Sequence, residues 1–377
     1  MLSAFEYKTQ PQLVFGRGCI ARLGEIAREL GFQRALFVAD PGVMATPHAR
    51  RALESLRKAG ISLVTFTDFQ ENPDTEMVER GRIVAAREKV DSLIGFGGGS
   101  SMDCAKAISL LVTNGGRMSD YRGYGIAKNP LFPMIGIPTT AGTGSEGQSY
   151  ALISDAVTHV KMACGVPTAA FRVALLDPEL TVTQPPDVTA TAGYDALSHA
   201  VETYVTTRRN ALSDMFSREA FRLLARHYTR VLSHPDDLEA RAAMQLGAHY
   251  AGVAIENSML GATHACANPL TQHYGAVHGR AIAVCLPSVV RFNKDLVDAR
   301  YRELMEVAGR DGSGEALASL LEELASVAGL PTRLGHVGVG DDAIADLAKD
   351  AAEQWTGRFN PRPFDEEAAR EIYRWAS

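Results

Sequence analysis

Near residue 185 the sequence changes texture, and that change constrains the fold more than any other feature. Before it, short apolar runs at 13–15, 35–39, 61–66 and 93–96 alternate with amphipathic stretches near 19–31, 46–59 and 74–89. Runs without a polar face are buried on both sides, so the alternation predicts a parallel sheet covered by helices on each face. Further strand-like runs stand at 134–137 and 173–176, with a hairpin expected within 148–166. After it, the stretches 211–232, 237–254, 314–328 and 341–355 carry apolar residues at three and four spacing, which predicts helix throughout. The junction reads Gln184-Pro185-Pro186-Asp187, where the prolines end one element and Asp187 opens the next helix. We therefore expect an α/β domain over 1–185 and an all-α domain over 186–377.

Charge and cysteine usage narrow the chemistry. Lys plus Arg is 38 and Asp plus Glu is 44, for a net charge of −6, which gives no general attraction to nucleic acid or anionic membrane. A small-molecule partner is expected. The five cysteines are odd in number, scattered, and form no C-x-x-C pair, which argues against a disulfide framework and against a cysteine zinc site. No basic segment followed by an apolar stretch opens the chain, and no uncharged run reaches the length of a membrane span, so a cytoplasmic location is expected.

Gly97-Gly98-Gly99-Ser100 follows a buried strand and opens an apolar helix. Backbone N–H groups and the helix dipole meet a phosphate at such a junction, and glycine is needed because side chains would block the approach. The plainer reading is a tight turn with Asp103 as a first-turn acid. A rival phosphate pattern, Gly16-Arg17-Gly18-Cys19-Ile20-Ala21, matches G-x-G-x-x-A. Both patterns leave Asp40, after the second strand, able to bond a ribose diol and repel a 2′-phosphate.

Asp195 and His199 are four residues apart, which on a helix sets them on one face. His264 and His278 flank a segment that Pro269 and Gly275 are expected to break, so they come from separate pieces of backbone. Three imidazoles and one carboxylate suit iron(II) or zinc better than calcium or magnesium. Taken singly, each residue also fits a core or helix-surface role. The remaining histidines, at 48, 159, 227, 234, 249 and 336, read as structural or surface residues, and His273 is left open.

These residues resemble a known family. Gly97-Gly98-Gly99-Ser100 with Asp103 and Lys106, the string from Ile137-Pro138-Thr139-Thr140 to Gly144-Ser145-Glu146, and Gly193-Tyr194-Asp195 through His199 to Glu202 are similar to the iron-dependent (group III) alcohol dehydrogenases. The resemblance runs nearly the length of the chain. It implies the dehydroquinate-synthase-like fold, with the active site in the cleft between the two domains, and a homodimer. It also implies Asp195, His199, His264 and His278 as metal ligands and Gly97, Gly98, Gly99 and Ser100 as the pyrophosphate cradle. Asp40, Asn72, Asp103, Thr139, Thr140, Thr143 and Lys161 match further cofactor positions, with NAD favoured over NADP. The Gly16 pattern then becomes a decoy.

The implied reaction is hydride transfer between NAD(H) and a small primary alcohol or aldehyde. Three positions depart from the family. Asn268 stands where a histidine is usual, and asparagine cannot shuttle a proton near neutral pH, so a water, a cofactor hydroxyl or His273 is expected to take its place. Arg280 follows the fourth ligand and could favour a polar or anionic aldehyde, though an outward arginine fits equally well. Ser288 replaces another frequent histidine. The competing readings are a dehydroquinate-synthase-like lyase, a glycerol-dehydrogenase-like zinc enzyme and a non-catalytic dinucleotide-binding protein.

Overall fold

The structure, a computed structural model, describes residues 4–7 and 11–377; residues 1–3, where the chain was read for a leader, and residues 8–10 lie outside it. It divides into two compact units. One takes Pro185–Ser377 together with Ala141–Thr143 and residues 4–7, and the other takes Gly144–Gln184 and the chain that ends at Thr140.

The second of these is α/β. Its strands are β1 (Gln12–Phe15), β2 (Arg34–Val38), β3 (Ser62–Phe66), β4 (Ser92–Gly97), β5 (Gly123–Tyr124), β6 (Met134–Pro138), β7 (Tyr150–Ser154), β8 (Lys161–Gly165) and β9 (Val173–Leu176). Between them run α1 (Leu23–Glu29), α2 (Pro41–Met44), α3 (Pro47–Lys58), α4 (Thr75–Arg87) and α5 (Gly99–Asn114). Six strands form an all-parallel sheet in the order β1-β9-β6-β4-β2-β3, while β7 and β8 pair as an antiparallel hairpin beside β5.

Period-two alternation builds this sheet. Ala35 and Phe37 of β2, Ile94 and Phe96 of β4, and Ile135 and Ile137 of β6 belong to one apolar cluster, whereas Leu36, Val38, Leu93 and Met134 belong to another. Each strand thus feeds a core on either face, which is why its sequence lacks a polar side. Gly95 and Gly136 sit opposite each other in register, and the Phe171 ring packs over both. The chain moves from β2 outward to β3 and returns past β2 to β4, so the topological switch lies between β2 and β4. Ligands of open α/β sheets bind beyond the strand ends at that point.

The other unit contains α6 (Pro186–Val205), α7 (Ala211–Ser233), α8 (Leu238–Glu256), α9 (Ala262–Tyr274), α10 (His278–Ala308), α11 (Gly314–Val327), α12 (Ile344–Glu353) and α13 (Glu366–Trp375). Among the described residues it has no strand. Helix α6 is buried on all sides from Gly193 to Val205, packed by α7, α8 and α10. A helix enclosed in this way needs apolar residues all round, so each polar group it carries must find a partner inside.

One expectation fails here. Gly275 does end α9, with φ of 64°, but Pro269 lies within the helix rather than breaking it. Packing outweighs the lost backbone bond: Cys266, Ala267 and Leu270 are fully buried, and the Tyr373 hydroxyl donates to the carbonyl of Cys266 at 2.6 Å beside the interruption.

Candidate metal centre and cofactor turn

Helix α6 sets Asp195 and His199 one turn apart, with His199 Nε2 3.3 Å from Asp195 Oδ1. His264 lies in the first turn of α9 and His278 is the first residue of α10; their Nε2 atoms are 3.6 and 3.7 Å from that same oxygen. Close approach of α10 to α6 makes this possible. A Cβ at Gly279 would lie 2.3 Å from the Thr191 carbonyl oxygen, so only glycine lets the start of α10 rest on α6 and brings His278 to Asp195. The turn Ala141–Thr143 is held similarly, since a Cβ at Gly142 would stand 2.7 Å from Ala192 Cβ.

Asp195 Oδ1 and His264 Nε2 are buried without a hydrogen-bond partner. An unmet buried acceptor costs about 1–3 kcal/mol, more if charged, and here potential ligand atoms from separate helices converge on one oxygen. A cation meets that demand. Among the described residues, Asp195, His199 and His264 are the group of three whose ligand atoms lie within 4.8 Å of one another, and His278 extends it. Nitrogen donors in this majority fit iron(II) or zinc.

Without a cation the cluster's charges act on one another. Burial alone would raise the Asp195 carboxyl, but the imidazoles of His199, His264 and His278 outweigh it and hold it below the usual range. Burial lowers His199 against the pull of Asp195. For His264 burial also opposes the charge, yet Glu202 and Asp195 prevail and push it up to about 9.

Glu202 was absent from the sequence-predicted ligand set, although it follows Asp195 by seven residues and His199 by three. That spacing puts all three on one face of α6, a signal readable in the sequence. Its carboxylate is 2.5 Å from His264 Nδ1 and accepts the Thr263 N–H at 2.6 Å.

In the α/β unit, β4 ends at Gly97 and α5 begins at Gly99, with Gly98 at the cap position, where it brings no side chain to the first N–H groups. Gly97 has φ of 146°, and a Cβ there would be 2.3 Å from Ser101 Oγ and 3.6 Å from Asp40 Oδ2. A side chain is thus excluded twice, by conformation and by space. Thr139 donates its N–H to the Gly97 carbonyl at 2.9 Å, and Thr140 borders Gly98. Ser100 Oγ accepts the Asn72 N–H at 3.1 Å, and Lys161 Nζ donates to Asn72 Oδ1 at 3.1 Å. Asp40, Asn72, Thr139, Thr140 and Lys161 are thereby gathered with Gly97–Ser100 at the switch between β2 and β4. Thr143 is exposed on the turn that belongs to the helical unit.

Asp103 is tied into the protein beneath the glycine turn. Its oxygens accept from Ser145 Oγ at 2.7 Å and Leu152 N at 3.2 Å, and Lys106 Nζ is 3.8 Å away. The buried ammonium of Lys106 in turn donates to Ser145 and to the Tyr150 carbonyl. Asp103 therefore braces the chain beneath the turn, three residues before the lysine that directs it inward. The Gly16 pattern is filled from within the protein: the N–H groups of Gly18 and Ile20 donate to the buried Asp177 carboxylate at 3.1 Å each, where a phosphate would have to sit.

Asn268 lies one turn after His264 and donates to Gln354 Oε1 at 3.0 Å. His273 is about two and a half turns on from His264, which turns it to the opposite side of α9, where it pairs with Asp350 at 2.6 Å in the open. The structure does not bring His273 to the cluster. Arg280 pairs with Asp187 at 2.7 Å, and Ser288 is buried in α10.

Known proteins place both units in one lineage. Residues 10–178 match the family profile "Iron-containing alcohol dehydrogenase", and residues 189–377 match "Fe-containing alcohol dehydrogenase family, C-terminal". The NAD-dependent methanol dehydrogenase of Bacillus methanolicus is 36% identical over 360 residues, covering 93% of this chain and 94% of that one. The crystal structure of a 1,3-propanediol oxidoreductase superposes with a TM-score of 0.95 at 32% identity, covering all of both chains. Sulfoacetaldehyde reductase from Bifidobacterium kashiwanohense, solved with NAD+, gives 0.91 at 28% identity over 99% of each chain. The fold is accordingly the dehydroquinate-synthase-like one, and the chain belongs to the iron-containing alcohol dehydrogenases, metal-dependent oxidoreductases of alcohols and aldehydes.

Proposed function

We propose that the protein interconverts a short, neutral primary alcohol and its aldehyde with NAD(H), holding the divalent metal on Asp195, His199, His264 and His278. One observation carries the metal assignment: Asp195 Oδ1, buried and without a hydrogen-bond partner, is faced at 3.3–3.7 Å by three imidazole nitrogens. A cation held there supplies Lewis-acid chemistry, stabilising negative charge on the substrate oxygen. The nicotinamide supplies or takes the hydride.

The remaining steps belong to the protein's own groups. The open first turn of α5 receives the pyrophosphate, for which Gly97 leaves room. Asp40 holds the ribose diol through the oxygen that faces Gly97, since its Oδ1 already accepts from Val43 at 3.0 Å. That carboxylate repels a 2′-phosphate, which favours NAD over NADP. Asn72, Thr139, Thr140 and Lys161 complete the cofactor's surroundings in the α/β unit. Asn268 orients groups by hydrogen bonding but titrates no proton, so the proton leaves through water or a cofactor hydroxyl, and the surface pair His273–Asp350 takes no part.

A neutral substrate is favoured because Asp187 answers the charge of Arg280 at 2.7 Å. A homodimer fits the outer edge of β1, which among the described residues pairs with β9 alone and exposes Phe15. Five unpaired cysteines, four of them buried, fit a reducing cytoplasm, and no helix among the described residues is long and apolar enough to cross a membrane.

Anaerobic purification with metal analysis, followed by NADH-dependent reduction of a panel of short aldehydes, tests this reading. Stripping the metal abolishes activity and iron(II) or zinc restores it; full turnover by metal-free protein would overturn it.

A further inference from the structure

Glu202 touches a proposed ligand and the helix that carries that ligand. Its Oε2 lies 2.5 Å from His264 Nδ1, and its Oε1 accepts the backbone N–H of Thr263, in the first turn of α9, at 2.6 Å. Both groups are buried, and the negative carboxylate stands at the positive end of a thirteen-residue helix. A second strut holds the same turn: Asn360 Oδ1 accepts from Ala262 N at 3.4 Å, and its amide is cross-bonded to Asn293 at 2.7 and 2.9 Å. The start of α9 is therefore fixed independently of what Glu202 does to the imidazole.

A carboxylate only accepts, so the hydrogen between Glu202 and His264 sits on Nδ1. In the neutral imidazole this leaves the lone pair on Nε2, the atom 3.6 Å from Asp195 Oδ1 that has no partner of its own. With the opposite tautomer, Nε2 would carry a hydrogen into the cluster and could not ligate.

We infer that Glu202 is a positioning residue: it sets the tautomer and ring orientation of His264 and thereby the affinity of the centre for its metal. This rests on the reading of His264 as a ligand. Glutamine at this position keeps the shape but turns one acceptor into a donor. Whichever way it rotates, an NH2 group faces either the Thr263 N–H or the His264 Nδ1 hydrogen.

The test measures metal binding rather than turnover. Metal-free wild type, Glu202→Gln, His264→Ala and the double variant are titrated with cobalt(II) against a competing chelator, reading the d–d absorption. Folding is checked by circular dichroism. Glu202→Gln is expected to weaken binding by roughly 10- to 100-fold with an altered band, as loss of an outer-shell partner does elsewhere. In the His264→Ala background the second change adds nothing. Unchanged affinity and spectrum in Glu202→Gln, with loss in His264→Ala, would overturn the positioning role alone. Unchanged affinity in His264→Ala would remove the ligand reading and this inference together. Should Glu202→Gln not fold, nitrogen-15 NMR of zinc-loaded, histidine-labelled wild type decides: hydrogen on Nδ1 and metal on Nε2 of His264 upholds the inference, and the reverse refutes it.

Discussion

The candidate metal centre is made of four side chains from three helices, whereas the cofactor turn is made mostly of backbone at one strand–helix junction. The first depends on residue type: a carboxylate and three imidazoles, nearly all buried, whose potential ligand atoms converge, with Asp195 Oδ1 and His264 Nε2 lacking hydrogen-bond partners. The second depends on what is missing: a Cβ at Gly97 and a cap on the first turn of α5. Side chains in the first are irreplaceable donors, while those around the second tune a cradle the backbone already forms.

That contrast predicts separable failures. The largest effect is expected for His199→Ala, which removes a donor from the buried end of the cluster. Metal content collapses and kcat/KM falls by roughly 10²–10³-fold or more, while NAD binding by the protein is unchanged. Metal analysis and fluorescence titration with NADH read the two arms, and retained metal would break the comparison. Gly97→Ala is the converse. Forcing a side chain into positive φ costs about 1–3 kcal/mol, so NAD binding weakens by roughly tenfold while metal content stays at the wild-type level.

A smaller, pH-dependent effect sharpens the electrostatic side. In metal-free protein, His264 is raised from 6.5 to about 9 because Glu202 and Asp195 outweigh its burial. A group raised on folding stabilises the protein fully below its unfolded value, and that stability is lost as pH rises through the folded one. The melting temperature of metal-free protein is therefore expected to fall between pH 6.5 and 9, with a flatter profile once metal is bound. Identical profiles with and without metal would contradict it.

The two regions also differ in how far the sequence reveals them. Alternating apolar runs such as Ala35-Leu36-Phe37-Val38 predict buried parallel strands, and the structure has β2 at that place with side chains feeding two cores. The glycine turn is equally local, since strand, glycines and helix are contiguous. The metal centre is local only in part: Asp195 and His199 share a helical face by spacing, but the approach of His278 depends on Gly279 meeting Thr191, a contact between distant segments. Glu202 was missed because a glutamate on a helix usually faces solvent, and only the enclosure of α6 turns it inward. Pro269 was read as a break because its local cost is clear, whereas the packing that offsets it comes from Tyr373, more than a hundred residues away. Asp103 was carried over with the family's cofactor positions; its contacts with Lys106 and Ser145 come from packing that the local sequence does not show.

The central claim, that Asp195, His199, His264 and His278 bind one cation together, is tested most directly by anomalous diffraction at the metal edge from crystals of the anaerobically purified protein. The account predicts a single peak at about 2.0–2.2 Å from an Asp195 oxygen and the Nε2 atoms of the three histidines. A peak elsewhere in the chain, or one that leaves any of these four outside ligand distance, would contradict it.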